Sequence, residues 1–367
     1  MNIIHFVHKM NIGGQETLIM NLLRNVNKEK FHFDILCTGE GQGDYDKEIK
    51  SLGSKVYHLE KNKLYNYKLL SGFGFVLSII RFFKQHPEIN IIHIHNCHSY
   101  SIFLQLLGAR LGGKTKFIIH SHSSSADTHS KSLHKSFLHF MNIFQFKKIA
   151  CSDLAAQWLF LNSKNVTILK NGVDLSNFGY KEESRKVFRD KLNIEDKFVL
   201  IHVGRFSTVK NHQFIIDIFK NLKKYIPNSA LLLVGTGELE KEIQNKVQFL
   251  KLEDSVQFLG LRKDVSDLLS ASDLFLFPSL YEGLPVTLVE AQSSGINCLI
   301  SDTISKESIL CDNCIPYPLS SSSEEWAKEI LHFSQAINRA NAIQQIKQKG
   351  FDIKDVTNEI EKIYISI

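Results

Sequence analysis

Leu274-Phe275-Leu276-Phe277 runs through Pro278-Ser279-Leu280 into Tyr281-Glu282-Gly283-Leu284-Pro285-Val286-Thr287-Leu288-Val289-Glu290. An uninterrupted apolar run ended by proline and serine reads as a strand covered on both faces. Pro285 suits the first turn of a helix, where a missing N–H costs nothing. Strand, short loop and helix together form the unit of an α/β protein with a parallel sheet. This reading places the amides of Gly283 and Leu284 near a helix N-terminus, where the dipole favours an anion. Glu282 falls on the loop and Glu290 about one and a half turns into the helix. Carboxylates beside an anion site are costly unless hydroxyls donate to them, and sugar or ribose hydroxyls are suited to this. The plainer alternative is a solvated loop glutamate and a helix glutamate that answers the dipole.

The same unit occurs earlier. The strand Phe198–Val203 leads into Gly204-Arg205-Phe206-Ser207-Thr208-Val209-Lys210-Asn211 and a helix over Asn211–Tyr225. Gly204 permits close backbone approach. Arg205 and Lys210 put two cations over the strand's carboxyl end. A diphosphate leaving group needs such charge as its bond breaks. Either motif alone has a bland reading as solvated surface charge. Together, at strand ends of one domain, they point to a nucleotide-diphosphate site.

Working outward, the alternation of apolar runs and helical patterns continues along the chain. Strands are expected at Ile3–Val7, Phe33–Cys37, Val56–Leu59, Ile91–His95, Lys116–His120, Lys148–Cys151 and Val166–Leu169. In the second half they are expected at Phe198–Val203, Ala230–Val234, Val256–Leu259, Leu274–Phe277 and Cys298–Ile300. The reading is two doubly wound, Rossmann-like parallel-sheet domains, with ligands expected in a cleft at the carboxyl ends of their strands. Asn171-Gly172 and Asp174–Asn177 are turn signals. They divide the chain into a first domain over 1–175, a second over 176–350 and a C-terminal helix over 351–367 that crosses back to the first.

Composition agrees with this class. Of 367 residues, 43% are hydrophobic and 22% charged, which excludes collagen-like, coiled-coil and wholly disordered chains. The net charge is +6, with the basic excess concentrated in the first 170 residues. That pattern fits an anionic partner such as a membrane surface or a phosphorylated substrate. It fits equally a compositional bias toward Lys, Asn, Ile and Phe. No Lys/Arg run resembles a nucleic-acid tail, so no nucleic-acid partner is expected. The six cysteines fall mostly in or beside strand-like segments, and the lone pair Cys311-Asp312-Asn313-Cys314 cannot complete a zinc site. The segment Asn2–His8 reads as a first strand rather than a signal peptide. Gly72–Phe83 is broken by Arg81 and is too short to span a bilayer. A cytoplasmic protein is expected, with peripheral contact to the inner face of an anionic membrane.

Gly204-Arg205, Lys210-Asn211-His212 and the spacing Glu282 to Glu290 resemble the retaining glycosyltransferases of family 4, which have the GT-B fold. Asn11-Ile12-Gly13-Gly14-Gln15-Glu16 is similar to that family's N-terminal glycine loop. Ile118-Ile119-His120-Ser121-His122-Ser123 is similar to its histidine-bearing strand end, and Asn171-Gly172-Val173-Asp174 to its interdomain signature. The likeness spans nearly the whole chain and is strongest to bacterial enzymes of capsule, exopolysaccharide and O-antigen synthesis. It departs at Asn297, where the family usually has proline.

The resemblance implies roles. Arg205 and Lys210 would hold the donor diphosphate, and Glu290 the ribose hydroxyls. Glu282 would contact the donor sugar. The backbone at Gly283, Leu284, Pro285 and Val286 would cradle sugar and phosphate. Gly13, Gly14 and Gly204 would let main chain approach the ligand. His122 would touch the transferred sugar, with His120 a rival of the same strand parity. The donor would be a nucleotide-diphosphate sugar, UDP-linked by the resemblance, and the acceptor a glycan or a lipid-linked sugar. Anomeric configuration would be retained, with no cofactor and no metal.

Other classes compete. A nucleotide-sugar epimerase of the same fold would consume donor without acceptor, and a scaffold partner would bind without turnover. His93-Ile94-His95 places two imidazoles on one strand face, but spacing supplies no third metal ligand. Val234-Gly235-Thr236-Gly237 lacks the third glycine of a dinucleotide fingerprint. The absence of a Gly-x-Ser-x-Gly elbow leaves hydrolase chemistry at Ser152-Asp153 unsupported. Tyr65-Asn66-Tyr67-Lys68 with Phe73–Phe83 suggests a basic-aromatic surface facing acceptor or membrane, against core packing as the default for the phenylalanines.

Overall fold

The computed structural model describes residues 1–60, 70–122, 131–333, 339 and 341–367. The Tyr65–Lys68 stretch and Ser123 lie outside them. The chain divides into two compact units, Met1–Gly172 with Ile353–Ile367, and Val173–Asp352.

The first unit is built on a parallel sheet of β1 (Asn2–Val7), β2 (His32–Cys37), β3 (Val56–His58), β4 (Ile91–His95), β5 (Phe117–Ser121), β6 (Lys147–Ala150) and β7 (Thr167–Ile168). Its order is β3-β2-β1-β4-β5-β6-β7. Register sets His5 beside His93 and His95 beside His120. The second unit carries β8 (Phe198–Val203), β9 (Ser229–Val234), β10 (Val256–Gly260), β11 (Leu274–Phe277), β12 (Asn297–Ser301) and β13 (Cys314–Tyr317). These are also parallel, ordered β10-β9-β8-β11-β12-β13. In each sheet the direction of winding reverses once, between β1 and β4 and between β8 and β11. Loops diverge at such a switch point and leave room for a ligand at the strand ends. Both are doubly wound α/β units, as the apolar runs imply: every residue of β9 and of β11 is buried.

Four helices matter for the site. α1 (Gly14–Asn25) follows β1, α2 (His212–Tyr225) follows the β8 loop, α3 (Val286–Ser293) follows the β11 loop, and α4 (Ile353–Ser366) ends the chain. α2 buries His212, Ile215, Ile216, Phe219 and Leu222, the stripe of an amphipathic helix. α4 lies in the first unit and packs against α1. Its Ile353, Val356, Ile360, Ile363 and Tyr364 share a core with Leu18, Ile19 and Leu22 of α1. Among the described residues no helix is long and apolar enough to cross a membrane.

The differences from the sequence reading have local causes. Pro285 stands at the N-cap of α3 with extended backbone, one residue before the first turn. The sequence reading expects no strand at 314–317; Pro316 masks β13, which is an edge strand, where a missing N–H is tolerated. The helix Ser323–Ile330 begins at a capping box of Ser322 and Glu325 inside a serine run that reads as loop.

Ile360 is fully buried between α4 and its neighbours. Ile360→Ala is expected to cost about 2–5 kcal/mol, measured by urea denaturation, with the loss confined to the transition of the first unit.

Candidate functional site

The two motif loops of the second unit leave adjacent strands and are tied together. The Leu280 amide donates to the Val209 carbonyl at 2.8 Å. Asn211, at φ 57° in the left-handed region, caps α2 and donates from Nδ2 to the Pro278 carbonyl at 3.1 Å. Lys210 Nζ donates to Glu282 Oε1 at 2.5 Å and lies 4.6 Å from the centre of the Phe277 ring. Both charged side chains are about one-sixth exposed, at 17% and 16%. The site is closed below by backbone: a Cβ on Gly235, whose φ is +135°, would stand 2.1 Å from the Gly204 carbonyl oxygen. Only glycine fits there, so the β8 and β9 loops touch main chain to main chain. A Cβ on Gly204 would likewise meet His202 Nε2 at 3.0 Å and the Lys210 stem at 3.2 Å.

Arg205 stands apart from the Lys210–Glu282 pair. Its guanidinium is 72% exposed and lies 3.0 Å from Glu238 after β9. Thus each cation of the motif already faces a carboxylate.

The loop after β11 supplies donors. Among the described residues, the amides of Gly283, Leu284, Val286 and Thr287 have no acceptor. Val286 and Thr287 are orphan N–H groups of the helix start, and Gly283 and Leu284 lie in the loop just before its N-cap. The Thr287 hydroxyl is buried without a partner as well. Glu290, on the fifth residue of α3, has no hydrogen-bonding or cationic partner among the described residues. Burial pushes its carboxyl up to about 8. It is therefore largely protonated at neutral pH, and readily becomes an acceptor once hydroxyls donate to it.

In the first unit Gly13 is the N-cap of α1 and Gly14 its first residue. A Cβ on Gly13 would fall 2.5 Å from Glu16 Oε2, so the glycine leaves room for that carboxylate to fold back over the helix start. Burial raises Glu16 to about 7. His122 lies one residue past β5 and is half-buried, whereas His120 inside the strand is fully buried.

Five imidazoles meet there. His5, His93, His95 and His120 lie on the face that carries Ile3, Ile91 and Ile118, the face covered by α1 and α4. His5 Nδ1 and His95 Nε2 share a hydrogen bond of 2.9 Å, and His95 Nδ1 and His122 Nε2 one of 2.8 Å. His93 Nδ1 meets the Tyr364 hydroxyl of α4 at 2.8 Å. Burial first, then repulsion between rings, holds His95 and His120 well below the usual histidine range, and burial holds His122 down at about 3. All are neutral at pH 7. In a neutral chain the hydrogens run one way: His5, His95 and His122 all carry theirs on Nδ1, or all on Nε2. The free nitrogen of His122 is then donor or acceptor accordingly.

The structure thus brings Gly204, Lys210, Glu282, Gly283, Leu284, Pro285, Val286 and Glu290 to the switch point of the second unit, with Arg205 at its exposed margin. Gly13, Gly14 and His122 stand at strand ends of the first. The sequence reading overlooked Thr287, whose only signal was its place in the first turn after Pro285. It also overlooked His5, His120 and His122 as neighbours of His93 and His95, since cross-strand register is not written in spacing. The buried Cys311 thiol is pushed up to about 12 by its surroundings and stays protonated.

Two doubly wound parallel-sheet units, the second with a cation–carboxylate pair and free amides at its switch point, have the architecture of the GT-B fold. Residues 12–177 match the family described as Glycosyltransferase Family 4, and residues 184–349 that described as Glycosyl transferases group 1. The chain is 32% identical to EpsF of Bacillus subtilis (strain 168) over 321 residues, 83% of this chain and 80% of EpsF. It is 25% identical over 305 residues to the Escherichia coli UDP-Gal:alpha-D-GlcNAc-diphosphoundecaprenol alpha-1,3-galactosyltransferase, 79% of this chain and 76% of that one. Among solved structures, Anabaena Alr3699/HepE in complex with UDP-glucose superposes with a TM-score of 0.81 at 19% identity, covering 100% of both chains. The protein belongs to the family 4 glycosyltransferases and is a glycosyltransferase.

Because Glu290 gains protons on folding, its contribution to stability is present at low pH and lost as pH rises toward 8. Glu290→Gln removes that loss. Its stability advantage over the wild type, measured by urea denaturation at pH 5, 7 and 8.5, is expected to grow with pH.

Proposed function

We propose that this glycosyltransferase moves a sugar from a UDP-linked donor to a glycan or lipid-linked acceptor, with retention of configuration and without a metal. The observation that carries the reading is the Lys210–Glu282 pair beside the free amides of Gly283, Leu284, Val286 and Thr287. Lys210 and those amides suit a diphosphate, and the Arg205 guanidinium adds charge at the margin. Glu282, released from Lys210 when the anion arrives, accepts from a sugar hydroxyl. Glu290 accepts from the ribose. The Escherichia coli relative, a UDP-Gal-dependent galactosyltransferase acting on a diphosphoundecaprenol-linked sugar by its name, supports both a UDP-linked donor and a lipid-linked acceptor.

In the step itself the bond from the anomeric carbon to the diphosphate oxygen breaks, its electron pair staying on oxygen. The acceptor oxygen bonds the same face of that carbon, and its proton passes to the leaving phosphate. No protein base takes part. We assign His122 to the transferred sugar, since of the two candidates it alone is partly exposed. Gly13 and Gly14 allow backbone approach. The basic first part of the chain supports peripheral contact with an anionic membrane on the cytoplasmic side.

Calorimetric titration of UDP, GDP and ADP in the presence of a chelator tests the donor. UDP binding that weakens in Lys210→Ala is expected, and preference for GDP or ADP would overturn the choice of base. Lys210→Ala and Glu282→Ala are each expected to slow transfer by about 10²–10³-fold with folding intact. Wild-type turnover in either, or donor consumption without acceptor, would overturn the assignment. The anomeric signal of the product by NMR reads retention directly.

A further inference from the structure

We propose that the imidazoles of His95, His120 and His122 form a binding site for a divalent transition-metal ion of the zinc class. One ring nitrogen from each of the three lies within 4.8 Å of the others. The rings of His120 and His122 are 4.0 Å apart and those of His95 and His122 5.1 Å apart, centre to centre.

The state of His120 is the first argument. It is fully buried, and among the described residues neither ring nitrogen has a hydrogen-bond partner. A neutral imidazole always presents one N–H and one lone pair. Leaving such a group unsatisfied in the interior is costly, and an orphan of this kind asks for a water or ion. A metal takes the lone pair.

A second shell is in place. The His95 nitrogen that does not face His122 is held by His5 Nδ1 at 2.9 Å, which fixes the ring's orientation. Metal–nitrogen bonds of about 2.0–2.1 Å in a tetrahedron separate the nitrogens by about 3.3 Å. The His95–His122 hydrogen bond of 2.8 Å therefore opens by roughly half an ångström, with the His122 hydrogen on Nδ1 and the His95 hydrogen on Nε2, where it donates to His5 Nδ1. Three protein ligands leave a fourth position, and half-buried His122 gives it access to water.

The inner set of His5, His93 and His95 also has three nitrogens in range. It is enclosed at 0%, 0% and 3% exposure, so a dication there would meet neither solvent nor anion. His93 is moreover engaged with Tyr364. The outer set is the better site. Nitrogen donors select zinc, cobalt, nickel or copper over magnesium and calcium, which prefer oxygen. A metal here occupies His122, so it acts against transfer. That consequence rests on the role assigned to His122 above, while binding itself does not.

The test is titration of cobalt chloride, then competition by zinc chloride, into chelator-treated full-length protein, followed by visible absorption. One cobalt per chain is expected, with ligand-field bands, no thiolate charge-transfer band, and displacement by zinc but not by excess magnesium. Cys311→Ser with Cys314→Ser should leave the spectrum unchanged. His120→Ala should weaken binding at least tenfold. Should that variant fail to fold, His122→Ala, at the half-buried strand end, is expected to do the same. Absence of stoichiometric binding at micromolar protein, a thiolate band, or undiminished affinity in His122→Ala would overturn the proposal.

Discussion

A parallel sheet sends every strand the same way, so all its carboxyl ends open on one side. Where the winding reverses, the connecting segments part, and the ends of two neighbouring strands are left without a crossover above them. In this chain that constraint acts twice, between β1 and β4 and between β8 and β11. The residues proposed to act in transfer lie on loops or in the first two helical turns at these ends, except His122, which follows the neighbouring strand β5. The apolar strands serve to bring such loops together. Lys210 and Glu282 are 72 residues apart in sequence and meet because β8 pairs with β11.

The chemistry of the second unit follows from charge held in place before any ligand arrives. Lys210 is paired with Glu282 and Arg205 with Glu238. The two pairs differ in weight. The first is mostly shielded from water and lies over the Phe277 ring, so loss of either partner leaves the other charge poorly solvated. The second is exposed, screened and weak. In the proposed reaction a diphosphate replaces Glu282 as the partner of Lys210, with the free amides of the β11 loop and α3 start as its gain. Glu290 has no such counter-charge and stays protonated instead.

Much of this was legible. A run such as Leu274–Phe277 with Pro278 after it has few readings besides a buried strand. The turns that follow β8 and β11 carry glycines and charges in an order that residue chemistry explains. What could not be read is whatever depends on register between strands. His93 and His95 are visibly on one face, since strands alternate with period two. That His5 stands beside His93, and His120 beside His95, is settled only by pairing. Tyr364, 271 residues beyond His93, reaches it because α4 packs on the first unit's sheet. The edge strand β13 and the helix after Ser322 escaped for a different reason. Proline and serine runs signal loops locally, and tertiary context overrides them.

The histidine ladder is the least economical feature of the first unit. Its neighbours on the same face are Ile3, Ile91 and Ile118, and aliphatic residues would fill those positions without orphaned nitrogens. In the proposed reaction the two units meet opposite demands. A departing diphosphate gathers negative charge, and fixed cations favour it. The anomeric carbon from which it departs gathers positive charge in the proposed reaction, and an imidazolium beside it would raise the barrier. Burial keeps every ring of the ladder neutral, so His122 offers a polar nitrogen without a positive charge. The same neutrality leaves imidazole nitrogens that suit a metal ion of the zinc class, as proposed above.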